Sequence, residues 1–319
     1  MPDSPRKSVN PLSGFDKRPK IYIITPSMAA SVKISAPSKI NLHLRVYERR
    51  PDGFHGIRSL FQAVSLADTI VVRSLKTINT VAIEGSFDCP AQDTTVYKAI
   101  TAFRNASGIG TGLSVKVEKV VPAGAGLGGG SGDAAAVLRA LDALFDTRFD
   151  TKELAAMAAT VGSDVPFFVE GGCALVSGRG ERVDRMVSRE DFALAIHFPG
   201  FPMGSAEAYR LLDRMRPEDS GEADPAAEVL KAAYYEDPKL WPFANSFEPF
   251  VAVDHPAIAA IRSKMSELGA FFSAMSGSGS SVFGVFPTAR AARQAVKSLE
   301  SFGGSSYLAF PLARLPALD

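Results

Sequence analysis

The sequence predicts an α+β protein of two domains, and three observations lead there. Strand-like and helix-like segments alternate from residue 30 onward with no internal repeat. Residues 113–120 alternate apolar and polar side chains strictly, as in a sheet with one wet face and helices packed on the other. The 319-residue length exceeds what most single α/β units use. A charged, loop-like stretch at 185–191 is the natural seam. It sets a first domain over residues 31–187 and a second over 188–319.

In chain order, residues 32–35 and 40–46 read as two short strands, broken at Ala36-Pro37-Ser38. Residues 68–73 and 80–83, rich in Val, Ile and Thr, are further strands. Residues 96–105 form a helix with Ala99, Ile100 and Phe103 on one face. The alternating strand follows, with Leu113, Val115 and Val117 inward, then a Gly-rich segment and helices near 133–145 and 152–161. Strand character returns at 174–177 and 182–183. The second half opens with a strand at 192–197 and a helix at 206–215. A charged, Pro-bearing stretch at 216–237 mixes loop and surface helix. Helix 258–268, strand 271–275, a small-residue loop at 276–281, strand 282–286, helix 289–302 and strand 307–311 complete the series.

Residues 1–30 differ in composition, mixing Pro, Ser, Lys and Arg, and are expected to be a disordered or non-native extension outside the fold. They lack the uninterrupted apolar core of ~7–15 residues that a secretory signal carries. Asp3 and Asp16 fit an organellar transit peptide poorly. No apolar run approaches the ~18 residues of a membrane-spanning helix. With 35 basic and 34 acidic residues, the net charge of +1 argues against a nucleic-acid protein relying on a basic surface. Two cysteines, Cys89 and Cys173, make neither a disulfide framework nor a zinc cluster. A cytoplasmic protein without membrane or nucleic-acid partners is expected.

The strongest chemical signal is Pro122-Ala123-Gly124-Ala125-Gly126-Leu127-Gly128-Gly129-Gly130-Ser131-Gly132-Asp133, with six glycines in nine residues directly before a helix. Glycine lets backbone N–H groups approach an anion without a Cβ in the way. A helix start adds unpaired N–H groups and partial positive charge, so the segment suits phosphate. A flexible linker is the plain alternative, but linkers carry more Ser and polar residues. No GxxxxGK[ST] is present, which excludes a Walker loop here. Gly124, Gly126 and Gly129 do fit GxGxxG. A dinucleotide fold, however, would begin with a strand buried on both faces and return to a strand after one helix. Here the preceding strand alternates and a second helix follows.

Two smaller clusters matter. Lys39 and Asn41 lie two apart, on one face of a strand. A strand lysine is commonly just the wet side. Asp164, in Gly162-Ser163-Asp164-Val165-Pro166, is one carboxylate between a helix end and the apolar Phe167 and Phe168. It could be an ordinary turn aspartate, and it is also a candidate base.

Together these segments resemble the GHMP kinases, which bind ATP through a Gly-rich loop between strand and helix. The resemblance runs from about residue 34 to 286. Its carriers are Ala36-Pro37-Ser38-Lys39-Ile40-Asn41-Leu42, Arg49-Arg50-Pro51-Asp52-Gly53-Phe54-His55 with Leu60-Phe61-Gln62, the Gly-rich loop, residues 162–166, and Met275-Ser276-Gly277-Ser278-Gly279. The R-x-D-G-[YF]-H segment separates it from galactose, homoserine and mevalonate kinases and points to a cytidine-diphosphate-linked methylerythritol as acceptor. The resemblance implies an N-terminal domain like the second domain of ribosomal protein S5, a ferredoxin-like C-terminal domain, and an active site in the cleft between them. It implies ATP-dependent phosphorylation of the acceptor's 2-hydroxyl, with Mg²⁺, in isoprenoid precursor synthesis.

By the same resemblance, Asp164 is the catalytic base and Lys39 its partner, holding it ionised. Pro122 through Gly132 wrap the ATP phosphates. Phe54 and His55 hold the cytosine, Asn41 lies beside the acceptor alcohol, and Ser276 to Gly279 closes the site from the second domain. No dedicated metal ligand is implied, and a monomer or weak homodimer is expected. Three departures stand out: Phe54 where the family has mostly Tyr, Ser131-Gly132-Asp133 where Ser-Ser-Asn or Ser-Ser-Asp is common, and no Asn in Asp93-Thr94-Thr95-Val96. Two alternatives stay open: another GHMP substrate, or a non-catalytic nucleotide-binding module.

Overall fold

The computed structural model describes residues 30–215 and 225–318. The expected N-terminal extension, except residue 30, therefore lies outside the described residues, as does part of the charged stretch at 216–237.

The first sheet carries six strands. Strand β1 (Ser31–Arg49) forms a long antiparallel hairpin with β2 (His55–Ile78). Strands β3 (Val81–Glu84), β4 (Thr111–Glu118), β5 (Cys173–Gly178) and β6 (Arg182–Met186) join in the order β3-β4-β2-β5-β6. The two short strands expected at 32–35 and 40–46 are one strand. Pro37 does not end it, because the pairing shifts register between Pro37 and Ser38 and leaves Ser65 and Leu66 as a bulge in β2. Ser38 Oγ donates to the Leu66 carbonyl at 2.7 Å, and Ser65 N to the Phe310 carbonyl at 2.8 Å, so the bulge is satisfied.

Helices α1 (Thr95–Ser107), α2 (Gly129–Phe145), α3 (Thr151–Val161) and the short α4 (Phe167–Glu170) follow in this half. Their apolar faces pack on one side of the sheet around Phe103, Val115, Leu138 and Phe167. As expected for β4, Leu113, Val115 and Val117 are buried while Lys116 and Glu118 are exposed.

The second sheet has the order β10-β7-β9-β8, antiparallel throughout, from β7 (Ala193–Phe198), β8 (Phe272–Met275), β9 (Val282–Phe286) and β10 (Ser305–Ala309). Helices α5 (Ser205–Met215), α6 (Ala227–Tyr235), α7 (Glu248–Asp254) and α8 (Ala257–Glu267) lie between β7 and β8, and α9 (Ala289–Leu299) between β9 and β10. This is the expected ferredoxin-like β-α-β-β-α-β arrangement, elaborated at its first crossover.

Both sheets are buried on two faces where they meet. On β7, Ala193 and Ala195 pack on α9, while Leu194 and Ile196 turn toward Ile40, Leu42 and Leu60 of the first sheet. Leu230, Tyr234, Trp241 and Phe243 fill the same seam. The shared core fixes β1 and the loops of the second half against each other, and the cleft opens beside that contact.

Candidate active site

A cavity of about 500 Å³ lies between the halves, lined among others by Lys39, Asn41, Asp164, Tyr209 and Gly277 together with residues 122–131. Most of the residues singled out in the sequence converge here. The exceptions are Gly132, Phe54, His55, Ser276 and Gly279.

Lys39 sits on β1 just past the bulge, 4 % exposed. Its Nζ donates to Asn41 Oδ1 and, at 3.2 Å, to the Gly126 carbonyl, and lies 3.7 Å from Asp164 Oδ2. It also stands 4.6 Å from the centre of the Phe61 ring. Burial pushes the ammonium below the ordinary lysine range, with Asp164 opposing. Asn41 is fixed in turn, since its Nδ2 donates to Ser59 Oγ at 2.8 Å. Asp164, at the turn after α3, is only partly covered, with a side chain 31 % exposed. An immobile cation therefore faces a carboxylate open to the cavity, which is what proton abstraction from an alcohol beside a phosphate requires.

The Gly-rich segment folds as a tight loop into α2. Gly124, Gly126 and Gly128 all have positive φ. A Cβ on Gly126 would lie 2.0 Å from the Ser276 carbonyl, and one on Gly128 3.1 Å from both Lys39 Cε and the Phe168 ring. The glycines thus permit contact with the second half and passage of the lysine stem. The helix begins earlier than expected, at Gly129, and Gly128 offers no side-chain cap. Its first amides are left for a ligand, and the macrodipole favours an anion there. Gly132 lies beneath the loop, where a Cβ would be 2.4 Å from the Pro37 carbonyl, so it serves packing.

The loop at 276–281 closes the cleft. Ser276 Oγ donates to the Gly126 carbonyl at 3.0 Å and accepts from Asn41 N at 3.2 Å. Ser281 N donates to the Ala125 carbonyl at 3.2 Å.

Phe54 lies at the tip of the β1–β2 hairpin, 54 % exposed and outside the cavity lining. His55 is engaged by protein at both nitrogens. Nδ1 donates to the Tyr47 carbonyl at 2.8 Å, Nε2 lies 3.1 Å from Asp213 Oδ1, and the ring stacks on Tyr209 at 5.0 Å. It approaches the cavity through Tyr209.

Sequence reading missed three groups. Tyr209 lies in the expected helix 206–215 and carries no motif signal. Asn245 and Glu248 hold the closing loop: Asn245 Nδ2 donates to the Met275 and Gly277 carbonyls, both at 2.8 Å, and Glu248 Oε2 accepts from Met275 N at 2.8 Å. α7 begins only at Glu248 and has no side-chain cap, so the Asn-x-x-Glu spacing is not a capping box and no local signal marks the pair. Lys119 bridges Asp68 at 2.5 Å and Asp133 at 2.8 Å beside the cavity. Burial, moderated by Lys119 and reinforced by Asp68, raises the Asp133 carboxyl to about 7. Among the described residues its Oδ1 has no hydrogen-bond partner.

The Gly-loop architecture and the two-sheet fold define a GHMP kinase. Residues 94–172 match the family described as GHMP kinases N terminal domain, and residues 231–305 match GHMP kinases C terminal. A 4-diphosphocytidyl-2-C-methyl-D-erythritol kinase of Treponema pallidum is 38% identical over 275 residues, covering 84% of this chain and 94% of the relative. One of Thermus thermophilus is 38% identical over 269 residues, covering 84% and 92%. A crystal structure of 4-(cytidine 5'-diphospho)-2C-methyl-D-erythritol kinase superposes with a TM-score of 0.75 at 34% identity, covering 88% of this chain and 98% of that one. The chain belongs to the 4-diphosphocytidyl-2-C-methyl-D-erythritol kinase family.

Proposed function

We propose that this protein transfers the γ-phosphoryl group of ATP to the 2-hydroxyl of 4-diphosphocytidyl-2-C-methyl-D-erythritol, giving the 2-phosphate and ADP in isoprenoid precursor biosynthesis. The observation that carries the reading is Lys39 beside Asp164 in one cavity with the uncapped start of α2. Phosphoryl transfer asks the protein chiefly for positioning and for positive charge around the transferring group. The Gly129 and Gly130 amides supply the phosphate cradle. Asp164 accepts the hydroxyl proton as the O–P bond forms, and Lys39 stabilises the developing charge. Asn41 orients the lysine. A non-catalytic module would have no need of a buried lysine held against a cavity-facing carboxylate.

Mg²⁺ accompanies ATP in this reading. Among the described residues no three His, Cys, Asp or Glu side chains converge. Phosphate oxygens, waters and one or two protein oxygens suffice for Mg²⁺. The ion would neutralise phosphate charge. Cytosine recognition falls to the exposed face of Phe54 and to His55, which must exchange its exposed partner Asp213 for the base edge. The protein works in the cytoplasm as a monomer or weak homodimer; no described helix is long and apolar enough to cross a membrane.

Release of ADP is measured with the cytidyl substrate, mevalonate and homoserine in parallel. Turnover confined to the cytidyl substrate is expected. Faster turnover of either other alcohol would overturn the assignment.

A further inference from the structure

We propose that Arg179 binds the diphosphate of the acceptor substrate, an inference that rests on the function proposed above. Arg179 lies in the turn between β5 and β6 and lines the same cavity as Lys39 and Asp164. Its neighbours Arg182, Arg185 and Arg189 lie within 4 Å of Glu181, Glu170 and Asp191 respectively. The Arg179 guanidinium has no ion-pair partner among the described residues. An unpaired cation facing a cavity can take an anionic ligand without first giving up a protein carboxylate.

The position of this turn makes the inference specific. Gly180, the next residue, packs directly on the candidate base: a Cβ there would be 3.0 Å from Ser163 Cβ and 3.2 Å from Asp164 Oδ1. From that anchor the Arg179 side chain reaches the hairpin tip, where its Cζ stands 4.8 Å from the centre of the Phe54 ring. One residue thus spans from the end of the cleft where the alcohol must react to the aromatic face offered to the base. In the acceptor, the group joining those two ends is a diphosphate. Whatever pose the polyol takes, its phosphates must pass between Phe54 and Asp164, beside Arg179. A guanidinium fork matches phosphate oxygens in pairs, which an ammonium does not.

The competing explanation is that Arg179 merely rests on Phe54 through its cation–π contact. Calorimetric titration separates the two. Cytidine and CDP are titrated separately into full-length wild-type, Arg179→Ala and Arg179→Lys proteins, with a non-hydrolysable ATP analogue saturating the nucleotide site. Arg179→Ala should weaken CDP by about 10- to 100-fold, the range of a charge-assisted hydrogen bond, and leave cytidine and the ATP analogue unaffected. Arg179→Lys should recover part of the loss. In turnover, KM for the acceptor should rise more than kcat falls. Equal weakening of cytidine and CDP would overturn the proposal, as would CDP affinity that does not change. Wild-type protein that binds neither ligand would overturn the substrate reading itself, and the proposal with it.

Discussion

Replacing Gly126 by alanine drives a methyl group into the closing loop. The new Cβ would lie 2.0 Å from the Ser276 carbonyl and 3.0 Å from that of Gly279, at a backbone φ of +74°. An L-residue in that conformation costs about 1–2 kcal/mol. Relief of the clash requires the loops to part by over about 1 Å, since such atoms pack near 3.5 Å or more. That breaks the bonds from Ser276 Oγ and Lys39 Nζ to the Gly126 carbonyl, and the neighbouring bond from Ser281 N. At about 1 kcal/mol for each bond, more for the charged one, the whole perturbation amounts to about 4 kcal/mol. Gly269→Ala is the control, because Gly269 has a φ of +91° and nothing within 4 Å of a Cβ. Calorimetry and steady-state kinetics are run on both variants. Gly269→Ala should lose a few degrees of Tm and keep its kcat/KM. Gly126→Ala should lose roughly 10²–10³-fold in kcat/KM, with a larger drop in Tm. If the two variants behave alike, the contact between the Gly-rich loop and the 276–281 loop contributes nothing to the site.

Phe54→Ala should weaken the cytidyl substrate by about 5- to 150-fold, as loss of a stacking ring does, with ATP affinity and Tm nearly constant because the ring is exposed; equal weakening of ATP would remove Phe54 from the base site. Phe54→Tyr should be close to neutral in the same binding assay. Asp133→Asn tests the buried triad by its pH profile. With the folded-state pKa raised from 3.8 to about 7, wild-type stability is lost as pH rises across that interval, so the variant's advantage should grow from pH 4 to 7 and stay level above. It amounts to at most about 4 kcal/mol, and an advantage that shrinks with rising pH would contradict the burial argument. Asn245→Ala strands two carbonyls of the closing loop, at about 1–3 kcal/mol, and should lower kcat/KM alongside Tm. Unchanged kinetics would show that the loop holds its position without Asn245.

Much of the architecture is legible in the sequence because many elements bury one face only. Strand β4 declares itself by alternation, and α1 by Ala99, Ile100 and Phe103. The first half of β2 escapes the same reading for a physical reason: Phe61 and Ala63 enter the helix-side core while Leu60 and Val64 enter the core shared with the second sheet. Apolar side chains on both faces erase the period of two. Pro37 misleads in the opposite sense, since a bulge absorbs its missing N–H without ending the strand. At the site, Lys39, Asn41, Asp164 and the Gly-rich loop stand out by residue type and spacing. Tyr209, Asn245 and Glu248 do not, because each acts only through a loop or ring brought close by the tertiary fold. His55 carries a motif signal, but its engagement by Tyr47, Asp213 and Tyr209 spans 8 to 158 positions of sequence and leaves no local trace.

The central claim is that Asp164 takes the proton of the acceptor alcohol in a cleft where ATP is already held by the Gly-rich loop. Asp164→Asn preserves size and one acceptor oxygen while removing the base, so kcat is measured for this variant and wild type alongside the affinity of each for ATP and the cytidyl substrate. A kcat lowered by roughly 10²–10⁴-fold, with ATP affinity nearly intact, is the predicted result. A variant that keeps more than half the wild-type kcat would contradict the account.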